Sequence, residues 1–302
     1  MNFDVVFLGT GAAVPTLQRG TTSQFVSIHG HHYLLDAGEG TQLMLKQHRL
    51  PFQKIRGIFI SHMHGDHVLG LPGLLSTMSL LGRKAPLHVW GPPGLSDWLG
   101  ATWKAISAHH TFPFQVTEWT GQESGILHEE ERYRLLSFLV KHMVDACGIR
   151  IEEHGLKCKL KGDLVRQAKL PFDVRKQLQN GEGVDWEGQR LRPEDWAVAP
   201  RPPKSYVFSG DTRPCDSLKR VAHSATVLCH DATFLNRDSD KAKSTHHSTV
   251  KEAARLAAQA EVGRLILTHI SSRYRDMNEF VRESGEFDIP VELAHDGMKI
   301  SL

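Results

Sequence analysis

An apolar run, Ile58-Phe59-Ile60, leads directly into Ser61-His62-Met63-His64-Gly65-Asp66-His67, and this junction leaves few folds open. Side chains alternate along extended backbone, so His62 and His64 share one side, while Asp66 and His67 face a neighbouring point on the turn into a following helix. A strand that ends at a loop just before a helix is the grammar of a layered α/β protein. One histidine at such a turn would be an ordinary surface residue. Three histidines and a carboxylate within six positions suit two metal ions held close together, an arrangement that stabilises both the attacking and the leaving oxygen of a displacement. Imidazole and carboxylate without thiolate favour zinc, with manganese or iron as other occupants. The cysteines, Cys147, Cys158, Cys215 and Cys229, show no Cys-x-x-Cys spacing, so free thiols are expected and any metal falls to His and Asp.

The same grammar recurs along the chain. Strand-like runs stand at Val5 to Leu8, Gln24 to Ile28, Tyr33 to Leu35, Ile55 to Ile60, Ser205 to Ser209, Ala225 to Cys229 and Arg264 to Thr268. Helical spacing is expected over Glu39 to Leu50, His67 to Leu81, Leu95 to Ser107, Cys215 to His223 and Ser248 to Ala260. Two β-rich halves with flanking helices predict an α/β sandwich, for which 302 residues supply enough core. Between the halves, His154 to Pro203 is mostly polar and charged, so it is expected to bury little of itself and to project as an arm inserted into one domain spanning residues 1–302. A formal charge of +2 does not by itself point to a nucleic-acid partner. Met1 runs straight into Phe3 to Leu8 with no leader-like pattern, and no apolar run reaches the roughly 20 residues of a membrane span, so a cytoplasmic protein without a membrane partner is expected.

The cluster His-x-His-x-Asp-His resembles the signature of the metallo-β-lactamase superfamily. Further segments narrow it: Gly9-Thr10-Gly11-Ala12-Ala13, Leu35-Asp36-Ala37-Gly38-Glu39-Gly40-Thr41-Gln42, Phe208-Ser209-Gly210-Asp211-Thr212, His230-Asp231-Ala232-Thr233-Phe234, His247-Ser248-Thr249 and Leu267-Thr268-His269-Ile270-Ser271-Ser272-Arg273-Tyr274. In this order they resemble the short form of the tRNase Z (ribonuclease Z) family across nearly the whole chain. The resemblance implies a four-layer αβ/βα sandwich and two Zn2+ per chain. His62, His64 and His142 would hold one ion, Asp66, His67 and His269 the other, and Asp211 would bridge them. For the third ligand of the first ion, His128, His109 and His110 stay open beside His142. Asp36 is expected either to hold a ligand imidazole or to cap the helix from Glu39.

The implied activity is endonucleolytic removal of the 3′ trailer from precursor tRNA, leaving a tRNA 3′-hydroxyl, by attack of a hydroxide bridging the two zinc ions. Asp66 would orient the nucleophile and take its proton, and His247, directed by Asp231, would protonate the leaving oxygen. Residue spacing leaves the adjacent His246 open as that donor. The family usually has Glu where this chain has Asp231, so a looser hydrogen bond to His247 is expected. Arg273 and Arg19 are candidate RNA contacts, although the family's usual Lys and Asn near Arg19 are replaced around Leu17 and Gly20. The arm resembles the one by which this family, a homodimer, grips tRNA, with Lys169 and Arg175 among its phosphate contacts. The family's Gly-Pro tip is absent, and Leu170-Pro171-Phe172 stands there. Two other functions remain in play: a hydrolase of the same fold acting on small phosphodiesters or cyclic nucleotides, and a non-catalytic RNA-binding protein.

Overall fold

The apolar runs assemble into two seven-stranded sheets in a computed structural model that describes residues 3–107, 109, 111–119, 124–285 and 287–302. The first sheet runs in the order Lys299–Ser301, Phe3–Gly9, Ser23–Ile28, His31–Leu35, Ile55–Phe59, Leu87–Gly91 and Phe114–Glu118. The second runs Val291–Leu293, Leu265–Thr268, Val227–Asp231, Ser205–Phe208, Cys147–Glu153, Tyr133–Leu139 and Ser124–Glu130.

Alternation along the strands sorts the core into layers. Val6, Leu8, Ile58 and Val89 pack with the helices Leu71–Leu80 and Leu95–Ala105 on the first sheet's outer face. Val207, Leu228 and Leu267 pack with Asp216–Ala222 and Val250–Gln259 on that of the second. The inner faces meet. Buried Gln24 of the first sheet accepts a hydrogen bond from Tyr206 Oη (2.5 Å) and donates to Cys229 Sγ (3.4 Å), both in the second. All four cysteines are free thiols.

Four strands of the first sheet, His31–Leu35, Ile55–Phe59, Leu87–Gly91 and Phe114–Glu118, are parallel, with Leu35 beside Phe59 and Phe59 beside Trp90. Ser205–Phe208, Val227–Asp231 and Leu265–Thr268 are parallel too, with Asp231 beside Thr268. The loops that follow parallel strands gather at their carboxyl ends, where open α/β sheets hold ligands.

Two helices differ from expectation. The helix foreseen from His67 to Leu81 is broken into Gly65–Val68 and Leu71–Leu80. Gly70 at the break lies so close to the loop after His31–Leu35 that a Cβ would come within 2.0 Å of Gly38 O, and its N–H donates to Ala37 O at 2.8 Å. The helix foreseen from Glu39 begins at Thr41, capped by Gly40 at φ 85°, so Asp36 does not cap it.

Residues Glu129–Arg134 and Glu152–Lys204 form a second compact unit. It holds the helices Gly162–Gln167 and Phe172–Gln179, the hairpin Val184–Trp186 with Gln189–Leu191, and the short pair Lys159–Leu160 with Ala197–Val198. The expectation that this stretch buries little of itself is corrected: Val165, Leu170, Val174, Leu178, Val184 and Leu191 close a small core. Val174 and Leu178, four apart on one helix, face inward together. Glu153, with a side chain 1% exposed, is met by Arg201 at 2.5 and 2.7 Å. Among the described residues, no helix is long and apolar enough to cross a membrane.

Candidate active site

The carboxyl ends of the parallel strands bring six side chains together, and the loop after Tyr133–Leu139 adds a seventh, His142. His62, His64, His142 and Asp211 form one group whose ligand-type atoms lie within 4.8 Å of one another, and Asp66, His67 and His269 form a second. In the first, His62 Nε2 is 2.9 Å from His64 Nδ1, and His142 Nε2 is 3.2 Å from that same atom. In the second, His269 Nε2 is 3.2 Å from Asp66 Oδ2 and 3.4 Å from His67 Nε2. Asp211 Oδ2 lies between the groups, 3.7 Å from His62 Nε2, 3.3 Å from His67 Nε2 and 3.4 Å from His269 Nε2. Donor atoms around one tetrahedral zinc would be roughly 3.3–3.6 Å apart, so these spacings fit metal ligation.

The outer nitrogens explain why the inner ones converge. His67 Nδ1 is 2.7 Å from Asp36 Oδ2, which also accepts from Ser61 Oγ at 2.8 Å. Ser61 Oγ, having given its proton to Asp36, accepts from His62 Nδ1 at 3.0 Å. Thr233 Oγ1 donates to Asp231 Oδ1 at 2.7 Å and therefore accepts from His269 Nδ1 at 2.9 Å. His142 Nδ1 donates to His246 O at 3.1 Å. This network places a proton of four imidazoles on the outer nitrogen and turns Nε2 inward, the pattern of metal-ligating histidines. His64 alone turns Nδ1 inward.

The backbone is bent to make this happen. Asp36 (φ 58°), His246 (φ 56°) and His269 (φ 60°) all hold left-handed conformations, which non-glycine residues adopt at a cost that surrounding structure must offset. His269 thereby turns off the end of Leu265–Thr268 into the cluster, and Ile270 resumes pairing beside Gly11. Gly38 allows a close approach, since a Cβ there would meet Asp66 O at 2.3 Å.

Beside the seven lies an acid–imidazole pair. His247 Nδ1 is 2.8 Å from Asp231 Oδ2, so the looser bond expected from the shorter carboxylate is corrected. The buried Asp231 also accepts from Thr212 N (3.0 Å) and Thr233 N (2.9 Å), which centres its two oxygens. Burial opposes charge on His247, yet the Asp231 carboxylate and its hydrogen bond outweigh it and push the imidazole up to about 9. Burial keeps His62 far below the ordinary imidazole range and therefore neutral. Burial would raise Asp66 and Asp211, but His269 and His67 hold both carboxylates below their usual range.

The motif carrying His247 divides its labour. Thr249 caps the helix Val250–Gln259 in a capping box with Glu252, Ser248 Oγ donates to Thr212 O (2.6 Å), and Arg213 Nη1 donates to His247 O (2.7 Å) while its guanidinium pairs with Glu252. His246 instead offers its carbonyl to His142, and its Nδ1 has no hydrogen-bond partner among the described residues. Of the competitors to His142, His128 packs near Tyr33 and Trp90, His109 is exposed, and His110 lies outside the described residues.

Two expected RNA contacts fare differently. Arg273 lies with its guanidinium 4.8 Å from the centre of the Phe234 ring, which is 6.1 Å from that of His247. Arg19 is turned inward: Nη1 donates to Thr10 Oγ1 (2.5 Å) and Ala294 O (2.7 Å), so it anchors its loop. Lys169 and Arg175 belong to the second unit and are not among the clustered residues. Reading the residues missed Ser61, Thr233, Thr212 and Arg213. Their one signal was that each sits within two residues of a strand-end His or Asp.

Comparison with known proteins agrees with this architecture. A family model described as beta-lactamase superfamily domain matches residues 177–270, and one described as anti-Pycsar protein Apyc1 matches residues 3–101. Human tRNase Z, short form, has a crystal structure similar at a TM-score of 0.71, with 28% identity over 98% of each chain. The metallo-beta-lactamase fold protein YhfI from Bacillus subtilis shares the fold at a TM-score of 0.71 over all of both chains, with 16% identity. Ribonuclease Z of Ignicoccus hospitalis is 38% identical over 92% of this chain and 91% of its own length. That of Porphyromonas gingivalis is 34% identical over 99% of both. With relatives this similar along nearly its whole length, the chain belongs to the ribonuclease Z family.

Proposed function

We propose that this chain is a zinc-dependent endoribonuclease that removes the 3′ trailer from precursor tRNA. The observation that carries the reading is the anchoring of four imidazoles by their outer nitrogens, with Nε2 turned toward Asp66 and Asp211, beside the buried Asp231–His247 pair. His62, His64 and His142 would hold one ion and Asp66, His67 and His269 a second, with Asp211 shared. Nitrogen and oxygen donors suit zinc, with manganese or iron as substitutes. Two such ions, when bound, supply positive charge to a phosphodiester and lower the pKa of coordinated water to about 7.

The chain's own groups do the rest. Asp66, kept ionised by His269 and His67, orients the attacking water and accepts its proton. As the bond from phosphorus to the 3′ oxygen breaks, His247 donates its proton to that oxygen, and Asp231 holds the ring in the orientation this requires. The products are a tRNA with a 3′-hydroxyl and a trailer with a 5′-phosphate. Arg273 would hold a phosphate oxygen, and the second unit, with Lys169 and Arg175, would bind the body of the tRNA within a homodimer.

Incubating the purified chain with an end-labelled precursor tRNA and mapping both new ends tests the reading. A single internal cut with those termini, abolished by a chelator and restored by zinc, is expected. Cleavage confined to small phosphodiesters or cyclic nucleotides, or binding of the precursor without cutting, would overturn it.

A further inference from the structure

The second unit presents an aromatic side chain that its own packing does not use. Leu170 and Val174 are 4% exposed and belong to the small core, whereas Phe172 between them is 73% exposed. Alone, an exposed phenylalanine would be ordinary. Its surroundings are not. From Lys157 to Lys176 there are seven Lys and Arg against two Asp, while from Gln177 to Lys204 there are four against five Asp and Glu. The unit's positive charge is therefore concentrated on the stretch that holds Phe172. Arg175 and Lys176 lie three and four positions on along the helix Phe172–Gln179, on the same face as Phe172. Lys169 precedes it, exposed and in a left-handed conformation (φ 51°). Among the described residues, the only side-chain hydrogen bond of Arg175 runs from Nε to Pro171 O at 3.4 Å, which leaves its terminal nitrogens available.

An exposed ring flanked by cations is the chemistry that recognises an unstacked base between two phosphates. Bases inside a tRNA stem are covered on both faces, so such a ring can reach only a base at a loop or a terminal pair, which selects folded RNA by shape rather than by sequence. We propose that Phe172 stacks on an exposed base of the folded tRNA while Lys169, Arg175 and Lys176 meet the adjoining phosphates. The proposal rests on the ribonuclease reading above and supplies the contact that discriminates tRNA from smaller phosphodiesters.

Binding and cleavage separate the two. With the full-length chain, Phe172→Ala should weaken binding of mature tRNA, followed by fluorescence anisotropy, and raise KM for the precursor, each on the order of 10-fold. Neither kcat nor hydrolysis of bis(p-nitrophenyl) phosphate should change. Phe172→Trp should bind as well as the parent chain, and Phe172→Leu should behave like the alanine variant. Binding by Phe172→Ala within twofold of the parent would overturn the proposal, as would full rescue by leucine, which would mark a merely apolar contact. Equal loss on the aryl phosphodiester would also overturn it by revealing a folding role. A parent chain that binds tRNA through Phe172 but leaves the precursor uncut would refute the ribonuclease reading and not the stacking.

Discussion

The two compact units solve opposite problems with the same amino acids. In the larger unit, four polar groups of the site are taken out of water and matched: Asp36, His62, Asp211 and Asp231 are 0–2% exposed, and each has a hydrogen bond or close ionic partner. In the smaller, buried Glu153 aside, pairs such as Arg166 with Asp163 stay wet, with both side chains more than three-quarters exposed. A buried polar network is costly unless complete, so its geometry is held tightly, whereas exposed pairs contribute little and leave their owners free to find a partner. On the proposed function, reaction geometry is built where polar groups are buried and matched, and recognition where they are exposed.

Three substitutions and one segment replacement would break or sharpen that contrast, taken from the largest effect on precursor cleavage to the smallest. Asp211→Ala removes the carboxylate between the two groups of ligands. Elemental analysis should fall from about two ions per chain to one or none, and cleavage should be lost; a variant retaining both metal and activity would dissolve the assignment. His247→Ala should keep its metal and lose about 10²- to 10⁴-fold in turnover of the precursor. A p-nitrophenyl ester, whose leaving group needs no proton, should be nearly unaffected, and His246→Ala should resemble the parent on both substrates. If the ester suffers as much as the RNA, His247 is not the proton donor.

Replacing residues 157–199 by a short Gly-Ser linker spares Arg201 and its pairing with Glu153. The loss in kcat/KM for the precursor should exceed that of Phe172→Ala, with ester hydrolysis and metal content unchanged, because only remote binding energy is removed. Loss of metal would show that the smaller unit supports the larger. Thr233→Val removes the hydroxyl between Asp231 and His269 and should weaken zinc affinity about 10- to 100-fold in a chelator competition, with smaller effects at saturating zinc. Unchanged affinity would mean that His269 is oriented by its backbone alone.

Much of the larger unit could be read from the chain because its signals are local. Ile58 to Ile60 announces a strand, period-two spacing pairs His62 with His64, and Thr249 with Glu252 announces a helix start. What resisted reading was long-range. Nothing near His142 distinguishes it from His128, since the choice is made by the carbonyl of His246, 104 positions away. Thr233 and Ser61 are common residue types whose roles appear only once their hydroxyl directions are known. The small core was overlooked because charges separate its members, although Leu170, Val174 and Leu178, each four apart, carried the helical signal.

The crowding around Asp231 has a consequence for descent. Its carboxylate serves His247, Thr212, Thr233 and, through Thr233, His269, at distances from 2.7 to 3.0 Å in a fully buried position. One added methylene has nowhere to go without displacing at least one of these partners. A lineage can therefore exchange aspartate and glutamate here only together with a shift of the 212–213 turn or the 246–249 loop. The two versions become separate neighbourhoods, and a residue transplanted between them should work poorly in its new host even though each works well at home.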